Sequence, residues 1–117
     1  MTVRALAALA AFALAATPAT AQDISTPAEN LDCAIWAAYM AGTNEDPEAE
    51  AAFAIALSWF TGLYEGQTGR SIDEPLVARA TQLTDEDIHA IGSRCVPRFE
   101  AYGNRLSVLG DRLQGLE

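Results

Sequence analysis

Two cysteines and one histidine are the side chains of this sequence best suited to chemistry. Cys33 and Cys95 enclose a loop of about 60 residues, and a bond that closes such a loop stabilises a fold by about 4 kcal/mol. No Cys-x-x-Cys spacing is present, so a redox-active pair is the weaker interpretation. For an exported chain, the sequence therefore predicts one structural disulfide between Cys33 and Cys95, with redox-active or free thiols as the alternative.

The single histidine does not complete a catalytic or metal site. His89 follows Asp85 by one helical turn, so both could reach one ion, but two ligands are too few for a site. The acidic runs at 44–48 and 85–87 lack the spacing of a calcium loop and are better explained as helix starts. No serine stands in a nucleophile motif, and no glycine-rich stretch carries the lysine of a phosphate loop. We therefore predict a non-enzymatic protein without a metal or cofactor.

The first 21 residues have the three-part pattern of a secretory signal peptide. Arg4 supplies the positive n-region, residues 5–16 are an unbroken apolar stretch, and Ala19 and Ala21 are the small residues that a signal peptidase reads. The apolar stretch is too short to span a bilayer, which takes about 20 residues. The sequence predicts cleavage after Ala21, a periplasmic or secreted location, and one mature domain over residues 22–117.

The mature chain predicted in this way is small and strongly acidic. Removing the first 21 residues, which include Arg4, from the 117-residue chain of charge -9 leaves 96 residues with a charge of -10 and no lysine. This balance argues against nucleic acids and anionic membranes as partners. The high share of apolar residues excludes a disordered acidic tail.

The mature sequence predicts an all-α fold of four helices. β-branched residues are scarce and no long stretch alternates apolar with polar residues, whereas Ala, Leu and Glu dominate. Helix-start signals stand at 26–29, 46–48, 71–74 and 84–87. They predict a first helix over about 27–41 and a second over 47–65 that ends at Gly66. They also predict a third helix that is capped by Ser71 and ends near Leu83, and a fourth that begins at 85.

The last helix has the clearest pattern. Apolar side chains recur three and four residues apart from Ile88 to Leu116, which makes one amphipathic stripe. Pro97 lies within the stripe, and because the stripe keeps its phase there, we expect a kinked but continuous helix. Cys95 lies in the stripe, so the predicted disulfide ties this helix to the first. The predicted fold is a small four-helix domain with a long Pro-kinked C-terminal helix and one disulfide.

Two further rows flank this stripe. Gly92, Gly103 and Gly110 fall near one line, which indicates the close approach of another helix. The other border is a row of arginines, whose stems can cover apolar surface while their heads reach carboxylates. We predict that this row pairs with the acidic helices of the same chain or of a second copy, with anionic-ligand binding as the alternative. The row consists of Arg94, Arg98, Arg105 and Arg112.

The second helix is apolar around almost its whole circumference from Ala51 to Tyr64. Such a helix is either buried centrally among the others or leaves one side open for a partner. The first helix raises the same question through its aromatic residues. We therefore predict a surface for a protein partner or a homodimer, consisting of Trp36, Tyr39, Met40, Trp59, Phe60, Gly103 and Gly110.

The size, export signal, helical pattern and Cys33–Cys95 pair resemble the small periplasmic acid-stress chaperones of the HdeA type. The Cys95-Val96-Pro97 step and the glycine-bearing apolar helix resemble helical periplasmic immunity proteins, which block secreted toxins. The first resemblance implies an acid-activated chaperone and the second an inhibitor. We expect an interaction or inhibitor module that binds protein, itself first. An acid-activated chaperone and a small-ligand-binding or enzymatic helical domain are the alternatives.

Overall fold

Four helices make up most of residues 25–116, the part of the chain that the computed structural model describes. They are α1 Pro27–Thr43, α2 Pro47–Thr68, α3 Asp73–Ala80 and α4 Asp85–Gln114. This part of the chain contains no strand, so the predicted all-α fold is confirmed. The predicted signal peptide, residues 1–21, lies outside the described residues.

Reciprocal side-chain caps begin α1 and α4 where the sequence predicts them. Thr26 Oγ1 accepts a hydrogen bond from Glu29 N at 3.2 Å, and Glu29 Oε2 accepts one from Thr26 N at 3.1 Å. Thr84 and Asp87 form the same pair of bonds at the start of α4. These bonds satisfy N–H groups that have no partner within a helix, so they fix the residue at which each helix begins.

The end of α2 corrects the predicted stop at Gly66. The helix continues through Gly66 to Thr68, and Gly69 then takes a left-handed conformation with a φ of 66°. The N–H of Gly69 donates to Glu65 O at 2.8 Å. Since glycine adopts positive φ without a steric penalty and also occupies the position after the helix end, Gly69 is the better stop signal.

The start of α3 differs from the capping box predicted at Ser71. The helix begins at Asp73 with Ile72 as its N-cap, and the apolar side chain of Ile72 makes no capping bond. The N–H of Ile72 donates instead to Glu65 Oε2 at 3.0 Å, a carboxylate from the end of α2. The helix also ends at Ala80, before the predicted Leu83. Ser71 Oγ accepts from Asp73 N at 3.3 Å, so a short local turn and a long-range acceptor together replace the predicted capping box.

The central helix of the fold is α1, which packs against each of the other three helices. Residues 33–37 are all buried, and Trp36 is only 4% exposed. Ala34 and Ala37 have no accessible surface. Their small side chains allow helices to approach on more than one side of α1.

α2 is buried on one side only, so the expectation of a central α2 is wrong. Its buried residues Ala56, Phe60 and Tyr64 recur every four positions and face the core. Ile55 on the opposite side is 54% exposed. The other predicted arrangement, an α2 with one open side, is the one observed.

The disulfide between Cys33 of α1 and Cys95 of α4 is confirmed, with an S–S distance of 2.09 Å. α4 continues through Pro97 without interruption, as the phase of its stripe predicts. Gly92 lies against Trp36, and Arg98 bonds with Asn30, so residue numbers rise along α4 as they fall along α1. The two helices therefore run antiparallel with the disulfide between these contacts.

Candidate protein-binding site

The two halves of α4 share one apolar repeat but have different surroundings. Ile88, Ile91 and Cys95 are buried, and Phe99 and Tyr102 are partly buried. Residues 103–116, which we call the α4 tail, are exposed apart from the half-buried Gly110. The exposed fractions of the tail leucines are 44% for Leu106, 40% for Leu109, 66% for Leu113 and 82% for Leu116.

A stacked ring pair marks the point where the tail begins. Tyr102 lies parallel to Trp59 of α2, with ring centroids 4.5 Å apart and planes inclined by 5°. Beyond it, a Cβ added at Gly103 or Gly110 would meet no described atom within 4 Å. The tail glycines therefore do not mark a helix contact within one chain.

Of the three glycines in the predicted line, only Gly92 packs closely against another helix of the described chain. A Cβ at Gly92 would lie 2.5 Å from Trp36 Nε1 and 2.9 Å from Trp36 Cδ1. Glycine is therefore required there because the indole ring of α1 rests on the backbone of α4. The predicted close approach is observed at Gly92, whereas Gly103 and Gly110 remain candidates for contact with another chain.

Arg98 connects three elements through a polar cluster beside the disulfide. Its Nη2 donates to Ser25 Oγ at 2.8 Å and to Asn30 Oδ1. Asn30, which is fully buried, donates from Nδ2 to Gln67 Oε1 of α2 at 2.8 Å. Gln67 Nε2 in turn donates to Ser25 O at 2.7 Å. Arg98 thus holds α4 to the N-terminal end of α1 and, through Asn30, to the C-terminal end of α2.

The guanidinium of Arg98 also lies over two aromatic rings of α2. Its Cζ is 5.1 Å from the Phe60 centroid and 5.9 Å from the Trp59 centroid, distances at which a cation is attracted to a ring face. The other members of the Arg row, Arg94, Arg105 and Arg112, are exposed and form no ion pair with residues 25–116. Pairing of the row with a second copy stays a prediction.

The ion pair found in the described chain joins α3 to α1. Arg79 Nε donates to Asp32 Oδ1 at 2.9 Å. The hydrogen bond with Asp32 and its negative charge raise the pKa of Arg79. Asp87 at the start of α4 has a lowered pKa, chiefly because its carboxylate accepts from the backbone and side chain of Thr84. The short α3 is thus held partly by charge.

A second uncovered apolar surface lies on α2. Ala51, Ile55, Ser58 and Gly62 are spaced by four, three and four residues, and all are exposed. We call these four residues the open face of α2. A Cβ at Gly62 would meet no described atom within 4 Å. A shallow groove beside this face is lined by Ile55, Ser58, Trp59, Gly62, Leu63 and Tyr102, so it ends where the α4 tail begins.

The predicted partner surface is divided between core and surface. Trp36 and Phe60 are core residues with exposed fractions of 4% and 0%, so these two side chains are not part of the exposed partner surface. Tyr39, Met40 and Trp59 are half-buried at its edge.

The tail leucines were not part of the predicted partner surface, although the lengths of the helices indicate that they are exposed. α4 has 30 residues and α1 has 17, which correspond to about 45 and 25 Å. Since α4 is longer than the helix that it packs against, part of its stripe must extend beyond that helix.

A cavity of about 220 Å³ lies beside the disulfide. Its polar lining includes Glu29, Asp32, Arg94 and Arg98. Glu29 caps α1, Asp32 binds Arg79, and Arg98 bonds Ser25 and Asn30. The lining thus has mixed charge, and most of its polar groups already bond within the chain. The cavity is therefore a weaker candidate for a ligand site than the exposed apolar surfaces are for protein binding.

The candidate chemical side chains take part in local contacts. His89 is exposed and lies edge-on to Tyr39, with ring centroids 5.6 Å apart. The hydroxyls of Ser58 and Ser93 donate to backbone carbonyls of their own helices. Within residues 25–116, no group of three His, Cys, Asp or Glu side chains is arranged to hold a metal ion.

The apolar content of the helices does not amount to a membrane-spanning segment. Among the described residues, no helix is both long enough and apolar enough to cross a bilayer. Comparison with protein families, with curated proteins and with solved structures found no match to this chain.

Proposed function

We propose that this chain is an exported, non-catalytic protein-binding module, that its α4 tail is the binding element, and that a second copy of the chain is its first partner. The observation that carries the proposal is the exposure of Leu106, Leu109 and Leu113. The same apolar repeat is covered by α1 in the first half of the helix. An apolar row on a protruding helix is typical of an interaction surface.

The energetics favour a contact that involves two tails. Burying the exposed half of a leucine contributes about 1 kcal/mol, so the four tail leucines contribute about 4 kcal/mol. Association costs between about 4 and 15 kcal/mol in lost freedom of movement. One tail is therefore marginal as a binding element, whereas a dimer in which both tails are buried doubles the gain for the same cost.

Two features support an oxidising, extracytoplasmic location. The disulfide joins the chain's two cysteines, and such bonds persist mainly in exported proteins. The N-terminal 21 residues carry the signal-peptide pattern described above. Within that location, the chain either associates with itself alone or uses the same tail as an inhibitor of another protein.

A second candidate, an acid-activated chaperone, is favoured by one observation. α3 contains no buried residue between Asp73 and Ala80, and the Asp32–Arg79 ion pair holds it to α1. At pH 2–3, where carboxylates in general become neutral, charge attraction between the helices weakens, and α3, which has no buried residue of its own, can separate from α1. The core around Ile72 would then be uncovered for an unfolded client. Failure of the chain to suppress client aggregation at pH 2–3 would end this candidate.

Light scattering on the purified, exported, oxidised protein tests the first candidate. The protein should be a dimer that dissociates on dilution. Leu109→Glu places a charge in the tail stripe and should leave a monomer, because burying a carboxylate in an apolar contact is unfavourable. Ser107→Glu adds the same charge at an exposed position outside the stripe and should leave the dimer intact. A monomer at high concentration, or equal behaviour of the two variants, would contradict self-association through the tail.

A further inference from the structure

Among residues 25–116, two of the uncovered apolar surfaces, the α4 tail and the open face of α2, meet at Tyr102. We propose that the α4 tail of one copy packs on the open face of α2 in a second copy, and that the second tail reciprocates. This inference rests on the proposed function, because it names the surface of the second copy that receives the tail. Each copy then supplies one tail and one open face, as a two-fold interface requires.

The shapes of the two surfaces are complementary. The tail presents leucine side chains at spacings of three and four residues. The open face has three small residues, Ala51, Ser58 and Gly62, around the larger Ile55. Helices pack by inserting large side chains of one into gaps between side chains of the other. Leu106, Leu109 and Leu113 therefore suit the gaps beside Ile55.

The position of the tail relative to the groove favours reciprocal exchange. Tyr102 stacks on Trp59, and both rings line the groove beside the open face. The tail of each copy thus begins beside that copy's own open face, the same surface that the tail is proposed to occupy on the other copy. Two tails that pass each other in opposite directions at this point each reach the groove of the other copy.

Charge distinguishes this arrangement from a simple pairing of two tails. Arg105 and Arg112 lie seven residues apart on one border of the stripe. In an antiparallel pair of tails, these two borders face each other, and Arg105 lies near Arg112 of the second copy. Like charges at that distance disfavour the pairing.

The body of a second copy offers the opposite charge. Residues 25–90 contain twelve Asp and Glu residues and two Arg. Glu48 stands seven residues before Ile55, so it falls on the line of the open face. An arginine-bordered apolar tail is therefore better matched by the acidic body than by another tail.

The test fills the groove without disturbing the monomer. A Cβ at Gly62 would meet no described atom of its own chain within 4 Å, so Gly62→Leu in the exported, oxidised protein has room to enter the groove, and it removes a glycine from a helix interior. Gly42→Leu is the matched control, because Gly42 is also exposed and unobstructed but lies on α1, outside the open face. Sedimentation should show at least about a tenfold weaker dimer for Gly62→Leu and no change for Gly42→Leu, since each 1.4 kcal/mol lost is tenfold in affinity.

The result for Leu109→Glu separates this inference from the proposed function. If Leu109→Glu is monomeric while Gly62→Leu dimerises like the unchanged protein, the tail binds a second copy elsewhere, and the inference is overturned while the proposed function stands. If Leu109→Glu also dimerises normally, both are overturned. Loss of the dimer in both variants, with Gly42→Leu intact, supports the exchange.

A cross-linking experiment keeps the inference testable if Gly62→Leu folds poorly. A photoreactive benzophenone amino acid replaces Leu109, and the protein is mixed with an isotope-labelled copy so that links between chains are identified. Links from position 109 should fall on residues 55–63 of the other copy. Links confined to residues 103–116 of the other copy would overturn the inference in favour of a tail-to-tail pair.

Discussion

The two halves of α4 carry one apolar repeat and differ in what covers it. In the half up to Tyr102, Cys95 is bonded to Cys33, Trp36 rests on Gly92, and Arg98 reaches Asn30. In the tail, the leucines that continue the repeat are exposed. The comparison shows that an amphipathic stripe predicts burial of one helix face but does not say which chain buries it. Whether the same chain covers it depends on the length of the neighbouring helices.

The largest expected effect comes from removing the disulfide, which lies in the half of α4 that packs on α1. Cys33→Ala with Cys95→Ala should lower the free energy of unfolding by about 4 kcal/mol, because the unfolded chain is no longer closed over a separation of 62 residues. Urea unfolding of this variant and of the oxidised protein measures the difference. Coincident unfolding curves would contradict this stabilising role of the disulfide.

Replacing one glycine in each half should give effects of opposite sign. Gly92→Ala should cost up to about 3 kcal/mol, because its methyl group collides with the Trp36 ring. Gly103→Ala meets no described atom within 4 Å and should instead stabilise the helix by about 0.5–1 kcal/mol. Thermal unfolding at low protein concentration measures both. If both substitutions changed the stability in the same direction, the proposed difference between the two halves of α4 would be contradicted.

Two arginines of one row provide a third comparison. Arg98→Ala should cost about 2 kcal/mol, because the fully buried Asn30 loses a donor to its carbonyl oxygen. Arg105→Ala in the exposed tail should change the stability of the monomer by less than about 0.5 kcal/mol. Denaturant unfolding of the two variants under monomeric conditions provides the values. Equal losses would mean that the tail is held by its own body.

The smallest effect concerns pH at the start of α4. Asp87 has a pKa below 3.8 in the folded chain because Thr84 donates to its carboxylate. Its stabilisation is therefore complete above the ordinary pKa and is lost as the pH falls through the lowered value. The unchanged protein should be more stable than Asp87→Asn at neutral pH, and the difference should shrink below pH 3.8. A difference independent of pH would assign the cap to Thr84 alone.

The sequence predicted those parts of the fold that depend on local signals. Thr26 with Glu29 and Thr84 with Asp87 are local caps, and both begin helices where expected. The disulfide was predictable because only two cysteines are present. The capping box predicted at Ser71 was wrong, because Ser71 Oγ accepts from Asp73 N rather than from Glu74 N, and Glu65 of the preceding helix accepts from Ile72 N.

Features that depend on long-range contacts were not predictable in the same way. α1 and α2 are both rich in apolar residues, and composition does not state which one has neighbours on several sides. The cluster of Asn30, Gln67 and Arg98 joins residues 37 and 68 positions apart and has no periodic signature. The exposed tail was present in the sequence as a stripe, but its exposure follows from the ends of α1 and α2 rather than from its own residues.

Concentration-dependent hydrogen exchange tests the central claim that another chain covers the α4 tail. Amides of residues 103–114 should exchange rapidly in dilute protein and at least about ten times more slowly in concentrated protein, because binding suppresses local opening of the helix. Amides near Cys95 should exchange at the same slow rate in both samples, since their contacts lie within one chain. Tail amides that exchange equally fast at every concentration would contradict the claim.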